Sequence, residues 1–137
     1  MILVDSNVLM YACGAEHPNR APALAFFNRV AAGELTATVD AEVLQEIIHR
    51  YRAIHRWSDG QRVYELARSL FPDVLAVTGA VMDYAKQLAD EDTAISARDA
   101  VHAGVVATYR LEGICTFDRD FDRIPGCKRV GLQHAQR

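Results

Sequence analysis

Two acidic residues each follow a short apolar run of this chain, at positions where a carboxylate could bind a ligand. Asp5 closes the run 2–4, and Asp118 comes three residues after the run 111–115. Short, β-branched apolar runs bounded by turn-type residues predict buried strands. In an open α/β sheet, ligands bind outside the carboxyl ends of the strands. Both acids are therefore expected at the ligand-binding edge of such a sheet, although Asp5 also has a simpler explanation as a cap for the helix that begins near Asn7.

Two further acids lie in segments whose pattern predicts helices. Glu46 lies next to the apolar stripe of its helix, and Asp99 shares a helical face with residues expected to pack on the sheet. Each has a simpler explanation: Glu46 could pair with Arg50 four residues on, and Asp99 could complete a capping box with Ser96. His102, one turn after Asp99, is interpreted as a satisfied helix histidine rather than a ligand.

These four acids form one candidate metal site, made of Asp5, Glu46, Asp99 and Asp118. Carboxylates a few ångströms apart raise one another's pKa and destabilise the fold unless a cation offsets them. Oxygen ligands favour Mg²⁺ or Mn²⁺, and one or two such ions could activate a water and stabilise charge on a phosphate. The three cysteines have no metal-type spacing, which argues against zinc and favours reduced thiols.

The residues around Asp118 and the basic residues are open to two interpretations. Asp120 and Asp122 are candidates for an auxiliary metal ligand, although three acids after a strand are also typical of a solvated turn. Arg119 and Arg123 could neutralise that turn, or hold the backbone of a nucleic acid. The basic stretch 49–57, with Arg62 beyond it, could carry phosphate contacts and stacking aromatics. A solvated helix face is the simpler explanation for that stretch.

Strand and helix patterns alternate along the chain and predict a mostly parallel sheet of four to five strands, covered by helices on both faces. The expected strands are 2–5, 35–39, 74–77, 114–116 and a less regular 128–130. The expected helices are 7–11, 20–32, 41–56, 58–71, 79–90 and 97–112, with Ser6 or Asn7, Asp40, Thr78 and Ser96 as N-caps.

Length and composition limit the classes of protein that fit. A chain of 137 residues predicts one domain over 1–137, and half of its residues are apolar. The net charge of −3 means that a nucleic-acid partner needs a local basic patch. The sequence contains no basic leader and no apolar run long enough for a membrane span, so a cytoplasmic protein without membrane contact is expected.

Four motifs in order along the chain resemble the PIN domain family and, more closely, the VapC-type toxin ribonucleases of bacterial toxin–antitoxin systems. They are Ile2-Leu3-Val4-Asp5-Ser6-Asn7, Val43-Leu44-Gln45-Glu46-Ile47, Ala97-Arg98-Asp99-Ala100-Val101-His102-Ala103 and Thr116-Phe117-Asp118-Arg119-Asp120-Phe121. The resemblance implies a three-layer α/β/α sandwich with the acidic quartet at Asp5, Glu46, Asp99 and Asp118. It also implies supporting polar roles for Ser6, Asn7 and Thr116.

The same resemblance implies an activity and partners. These are Mg²⁺- or Mn²⁺-dependent cleavage of RNA, a homodimer, and a VapB-like antitoxin whose tail blocks the site. An alternative is a non-catalytic PIN-like module that binds RNA or a protein partner. A Mg²⁺ phosphatase or a phosphotransfer receiver is a third possibility. The receiver fits poorly, because neither lysine, Lys86 or Lys128, stands at a suitable strand end.

Overall fold

The computed structural model describes residues 1–132 and has helices on both faces of a parallel sheet. None of the helices in that range is long and apolar enough to cross a membrane. In chain order the elements are β1 (Ile2–Val4), α1 (Ser6–Cys13), α2 (Arg20–Ala31), β2 (Ala37–Thr38), α3 (Ala41–Ala53), α4 (Trp57–Leu70), α5 (Gly79–Glu91), α6 (Ala97–Thr108), β3 (Gly113–Cys115) and a 3₁₀ turn (Arg119–Arg123).

The central strand β1 lies between the other two, giving the order β2-β1-β3 with both pairings parallel. Leu3 pairs with Thr38 on one side and with Ile114 on the other. Parallel neighbours require crossover connections, and the helices provide them. All three strands therefore end at the same edge of the sheet, as predicted for a site at their carboxyl ends.

The sheet is narrower than the four to five strands predicted, because residues 1–132 contain three strands and two isolated bridges. The expected strand 74–77 is reduced to a parallel bridge between Leu75 and Asp40. That ladder stops because Asp40 already caps α3, so the chain turns away after one pair. The expected strand 128–130 is likewise a single bridge from Arg129 to Ile114, and the chain turns at Gly131, whose φ is +91°.

Successive side chains of β1 point to opposite faces of the sheet, so the interior consists of two cores, one on each face. Ile2 and Val4 pack with the apolar faces of α1 to α4. Leu3 points the other way and packs with α5, α6 and the segment after the 3₁₀ turn. This arrangement confirms the predicted three-layer α/β/α sandwich.

Most helix starts were predicted correctly. The cap of α1 and the end of α6 differ from the prediction; in addition, α1 runs on to Cys13 and α3 ends at Ala53 rather than near residue 56. Asp40, Thr78 and Ser96 cap their helices through their side chains as expected. The cap of α1 is Asp5, as in the simpler explanation for this acid, rather than Ser6 or Asn7, since its carboxylate accepts from the amide of Ser6.

The end of α6 is the second difference. The helix ends at Thr108, not near residue 112, and Arg110 then adopts φ 55°. Gly113 belongs to β3, where a Cβ atom would lie only 2.3 Å from the carbonyl oxygen of Lys128. The glycine is therefore needed for a close backbone approach rather than for stopping the helix.

Candidate functional site

The four predicted acids line one cavity of about 650 Å³ at the carboxyl edge of the sheet. Asp5 follows β1, and Asp118 follows β3 as the cap of the 3₁₀ turn. Glu46 is supplied by the second turn of α3 and Asp99 by the first turn of α6. The fold thus brings acids from four separate segments to the same opening.

The inner part of the site is buried and held by hydroxyl groups. The Ser6 hydroxyl donates to Glu46 Oε1 at 2.9 Å, and its Oγ lies 3.4 Å from Asp5 Oδ1. The Thr116 hydroxyl donates to Asp5 Oδ2 at 2.7 Å. The Asn7 side-chain amide donates to Thr116 Oγ1 at 3.1 Å, and its Oδ1 accepts from a backbone amide of the loop after β3. The three predicted supporting residues therefore link Asp5 to both neighbouring segments.

The outer part of the site contains Asp99, Asp118 and Asp120, each of which offers an oxygen within 4.8 Å of the others. Asp118 Oδ1 also accepts from the Asp120 amide at 2.9 Å, which fixes the start of the 3₁₀ turn. Asp122 instead lies against Arg129, with contacts of 2.9 and 3.0 Å. Of the two candidates for an auxiliary acid, Asp120 is the one that the structure places with Asp99 and Asp118.

A buried histidine behind the acids was not predicted as part of the site. His102 is fully buried, and its Nδ1 lies 2.8 Å from Asp40 Oδ2. Asp40 Oδ1 accepts from the amide of Val43, so the carboxylate is fixed on both sides. His102 Nε2 lies 3.3 Å from both oxygens of Glu46 and 3.8 Å from Asp5 Oδ1. Asp40 and His102 therefore support the inner acids on the side that faces away from the cavity opening.

The position of His102 three residues after Asp99 was a usable signal, because such residues share a helix face. The acidic neighbours of His102 determine the charge of its ring. Burial lowers the pKa of His102, but Asp40, Glu46 and Asp5 outweigh burial and raise it well above the ordinary value. The imidazolium offsets part of the negative charge of the inner acids, and Asp40 fixes Nδ1 as a donor.

Negative charge still exceeds positive charge in the site. Burial raises the pKa of Asp5, His102 offsets part of that rise, and Glu46 adds to it. Burial, followed by the proximity of Asp118 and Asp5, raises the pKa of Asp99 to about 6. Deprotonated carboxylates at these positions repel one another, and a divalent cation would relieve that repulsion.

The donor atoms of the site fit a hard divalent cation. Asp5 and Glu46 offer carboxylate oxygens within 4.8 Å of each other and of a His102 ring nitrogen, and the outer group offers oxygens alone. Mg²⁺ and Mn²⁺ prefer such oxygen-rich sets. Cys115 and Cys127 are buried and neither lines the cavity; burial raises the pKa of both thiols, that of Cys127 to about 12, so neither is a thiolate ligand at neutral pH.

Of the basic residues that the sequence indicated, the structure places arginines of the basic stretch and its continuation, and not Arg119 or Arg123, in the cavity wall. Arg123 lies 3.0 Å from Asp92 Oδ2, and neither it nor Arg119 lines the cavity. Arg98 lies at the opening, 3.7 Å from Glu46 Oε2. Three other arginines, at 50, 56 and 62, complete the basic lining. They belong to the basic stretch and its continuation, for which a solvated face was the simpler explanation.

A parallel three-layer sandwich with carboxylates from four segments at one sheet edge defines an α/β class of protein with a candidate metal site at the carboxyl ends of its strands. Comparison with known proteins gives the family: the PIN domain model matches residues 2–126, and the chain belongs to the PIN domain family. VapC ribonuclease Mb1869c of Mycobacterium bovis and Ribonuclease VapC13 of Mycobacterium tuberculosis are each 38% identical over 130 residues. The matched region covers 95% of this chain and 99% of theirs.

Two solved structures share the fold at low sequence identity. VapBC2 from Rickettsia felis, bound to a DNA fragment from its promoter, matches with a TM-score of 0.74 and 17% identity, over 97% of this chain and all of that one. A toxin–antitoxin complex from Klebsiella pneumoniae matches with a TM-score of 0.66 and 18% identity, over 95% of this chain and all of that one. Both likenesses support the fold described above.

Proposed function

We propose that this chain is a Mg²⁺- or Mn²⁺-dependent endoribonuclease, a single PIN-like nuclease domain that acts in the cytoplasm as the toxin of a VapBC-type toxin–antitoxin system. The observation that carries the proposal is the convergence of Asp5, Glu46, Asp99 and Asp118 on one cavity. The identity of 38% to relatives named VapC ribonucleases, over nearly their whole length, supports RNA as the substrate.

The four acids would hold one or two divalent ions, with Asp120 as the auxiliary ligand. When bound, such an ion supplies positive charge that activates water and stabilises charge on the phosphate that is cut. Ser6 and Thr116 hold the inner carboxylates in place before any ligand arrives. Such preorganisation matters because the acids need not be reoriented at the moment of reaction.

The remaining residues of the site set its charge. His102 and Asp40 lie fully buried behind the inner acids, where the imidazolium offsets part of their negative charge. Asp99 is half buried with a pKa of about 6, so its carboxylate is mostly deprotonated at neutral pH and ready to act as a ligand. Arg98 at the opening adds positive charge where an RNA phosphate would approach.

The proposed partners are a second copy of the chain and a VapB-like antitoxin whose tail blocks the site. Both solved structures that share this fold are assemblies named as a toxin–antitoxin complex or as VapBC2, which supports an antitoxin partner. A short neighbouring reading frame that encodes an antitoxin-like protein, and that relieves growth arrest when it is co-expressed, would support the toxin assignment. Unimpeded growth on expression of the chain alone would contradict it.

Cleavage of single-stranded and structured RNA in Mg²⁺ and in EDTA tests the proposed activity. We expect cleavage in Mg²⁺ alone, and its loss in Asp5→Ala and Asp99→Asn. Asp83→Asn is the matched control, because Asp83 is an exposed acid on the outer helix α5. Full cleavage in EDTA, or in both site variants, would contradict the proposed mechanism. RNA binding without cleavage or Mg²⁺ binding would favour the non-catalytic module instead.

A further inference from the structure

The cavity continues beyond the acids into a region lined by Arg50, Arg56 and Arg62. Helix α3 connects the two parts, since Glu46 lies at the acids and Arg50 lies one turn further on, about 6 Å along the helix axis. The other two arginines come from the start of α4, which packs against α3. We refer to these three side chains as the arginine end of the cavity.

One acid in this region holds two of the arginines in position. Asp59 Oδ2 accepts from Arg56 Nε at 2.7 Å, and Asp59 Oδ1 contacts the guanidinium of Arg62. Asp59 is only 23% exposed, whereas both arginine side chains are about two-thirds exposed. Among residues 1–132, Arg50 forms no ion pair. The arginine end therefore keeps a net positive charge, with two of its guanidinium groups held in place.

Two aromatic side chains, Tyr11 and Tyr51, line the same cavity. Tyr11 packs at 4.5 Å on the ring of His17 and at 5.3 Å edge-on to Phe117. Tyr51 packs tightly on Gly60, where a Cβ atom would lie 2.6 Å from the Tyr51 Cβ. Fixed aromatic rings in a basic groove are typical of single-stranded nucleic-acid sites, because every unpaired base offers a face for stacking.

The size of the cavity favours a single strand over a duplex. A volume of about 650 Å³ lies in the range of sites that hold one small ligand, which corresponds to about one or two nucleotides. The overall charge of −3 repels RNA, so local positive charge must hold its backbone. The arginine end supplies this positive charge one helix turn from the acids.

We propose that Arg50, Arg56 and Arg62 bind backbone phosphates of a single-stranded RNA segment next to the phosphate held at the acids, with Asp59 as the residue that positions two of them. The inference rests on the proposed function, because RNA is the substrate in both. It adds where the strand lies, namely along α3 towards the start of α4. It also assigns the strand's unpaired bases to the faces of Tyr11 and Tyr51.

Fluorescence anisotropy of a labelled single-stranded oligoribonucleotide tests the proposal on the full chain. The measurement is made in EDTA, so that the acids are free of metal in wild type and in every variant. The variants are Arg50→Ala and Arg62→Ala. Arg68→Ala is the matched control, because Arg68 is an exposed arginine of α4 outside the cavity. Salt is varied from about 50 to 200 mM, and duplex RNA of the same sequence is measured in parallel.

Each of the two cavity variants is expected to weaken binding about 5- to 10-fold and to lower the magnitude of the salt slope by about 0.7, the value for one phosphate contact on a single strand. The control is expected to change affinity by less than about twofold. Cavity variants that bind like the control, or a wild type that does not bind, would overturn the proposal. Duplex RNA bound as tightly as the single strand would overturn the single-strand assignment.

The result separates this proposal from the proposed function. Binding that depends on the arginines, together with no cleavage in Mg²⁺, would refute the ribonuclease and leave the RNA site standing. Cleavage in Mg²⁺ by wild type, with the same affinity in Arg50→Ala and Arg62→Ala, would refute the arginine site alone.

Discussion

Replacing Asp99 by Asn should make the metal-free protein more stable while removing its response to Mg²⁺. Asp99 is half buried and lies close to Asp118 and Asp5, and together these surroundings raise its pKa to about 6. The folded state therefore holds the proton of Asp99 more tightly than the unfolded state does. As pH rises from about 4 through 6, the wild type loses stability at this position, because the folded state must give up that proton.

The size of the effect follows from the two pKa values. A rise from 3.8 to about 6 corresponds to roughly 3 kcal/mol at a pH above both values. Solvent screens a half-exposed carboxylate, so about 1–2 kcal/mol is a realistic cost. An acid in the first turn of α6 also contributes about 0.5 kcal/mol through the helix dipole, which Asp99→Asn gives up. The net expectation is a gain of about 1 kcal/mol.

Urea unfolding of wild type and Asp99→Asn in EDTA measures this gain at pH about 7.5 and again at pH about 3.5, below both pKa values, where it should largely disappear. Excess Mg²⁺ should then stabilise the wild type and leave the variant nearly unchanged. The control, Asp83→Asn, is expected to stay within about 0.5 kcal/mol of wild type and to keep the Mg²⁺ response. The reasoning would be refuted if Asp99→Asn were less stable than wild type in EDTA, or if Mg²⁺ stabilised the variant as much as it stabilises the wild type.

Three further substitutions probe other parts of the structure, each measured by urea unfolding. Asp40→Asn leaves the buried His102 without its main charged partner and should cost about 2–4 kcal/mol; an unchanged stability would show that the pair is not formed. Thr116→Val removes the hydroxyl that donates to Asp5 and should cost about 1–2 kcal/mol and weaken Mg²⁺ binding, with Thr116→Ser restoring both. Gly113→Ala should cost about 1–3 kcal/mol, because its Cβ meets a backbone oxygen; no cost would mean that β3 can shift.

Local sequence patterns predicted the layers of the fold and most of its helix starts. Side-chain caps such as Asp40, Thr78 and Ser96 act within three residues, so they can be identified from sequence alone. The width of the sheet could not be predicted in this way. A ladder continues only if both chains stay extended, and at Asp40 one of them turns into α3 after a single bridge.

In the candidate site, too, residues marked by a local pattern were predicted, whereas contacts between distant segments were not. Asp5 and Asp118 were predicted from strand ends, and the structure places them with Glu46 and Asp99 in one cavity. The pairing of His102 with Asp40 joins residues 62 positions apart, and both side chains had adequate local explanations. For the cavity arginines of the basic stretch the sequence left two interpretations open, because α3 and α4 must pack together before the stretch can be seen to face the acids.

The rate of RNA cleavage by Glu46→Gln in Mg²⁺ tests the central claim most directly, namely that the converging carboxylates form a metal-dependent ribonuclease site. Glu46 is the acid that Ser6, Arg98 and His102 all contact, and Glu65→Gln on the exposed face of α4 makes the matched control. We predict that wild type and Glu65→Gln cleave RNA in Mg²⁺ and not in EDTA, and that a folded Glu46→Gln is about 100-fold slower or worse. Cleavage by wild type in EDTA, or undiminished cleavage by Glu46→Gln, would contradict the claim.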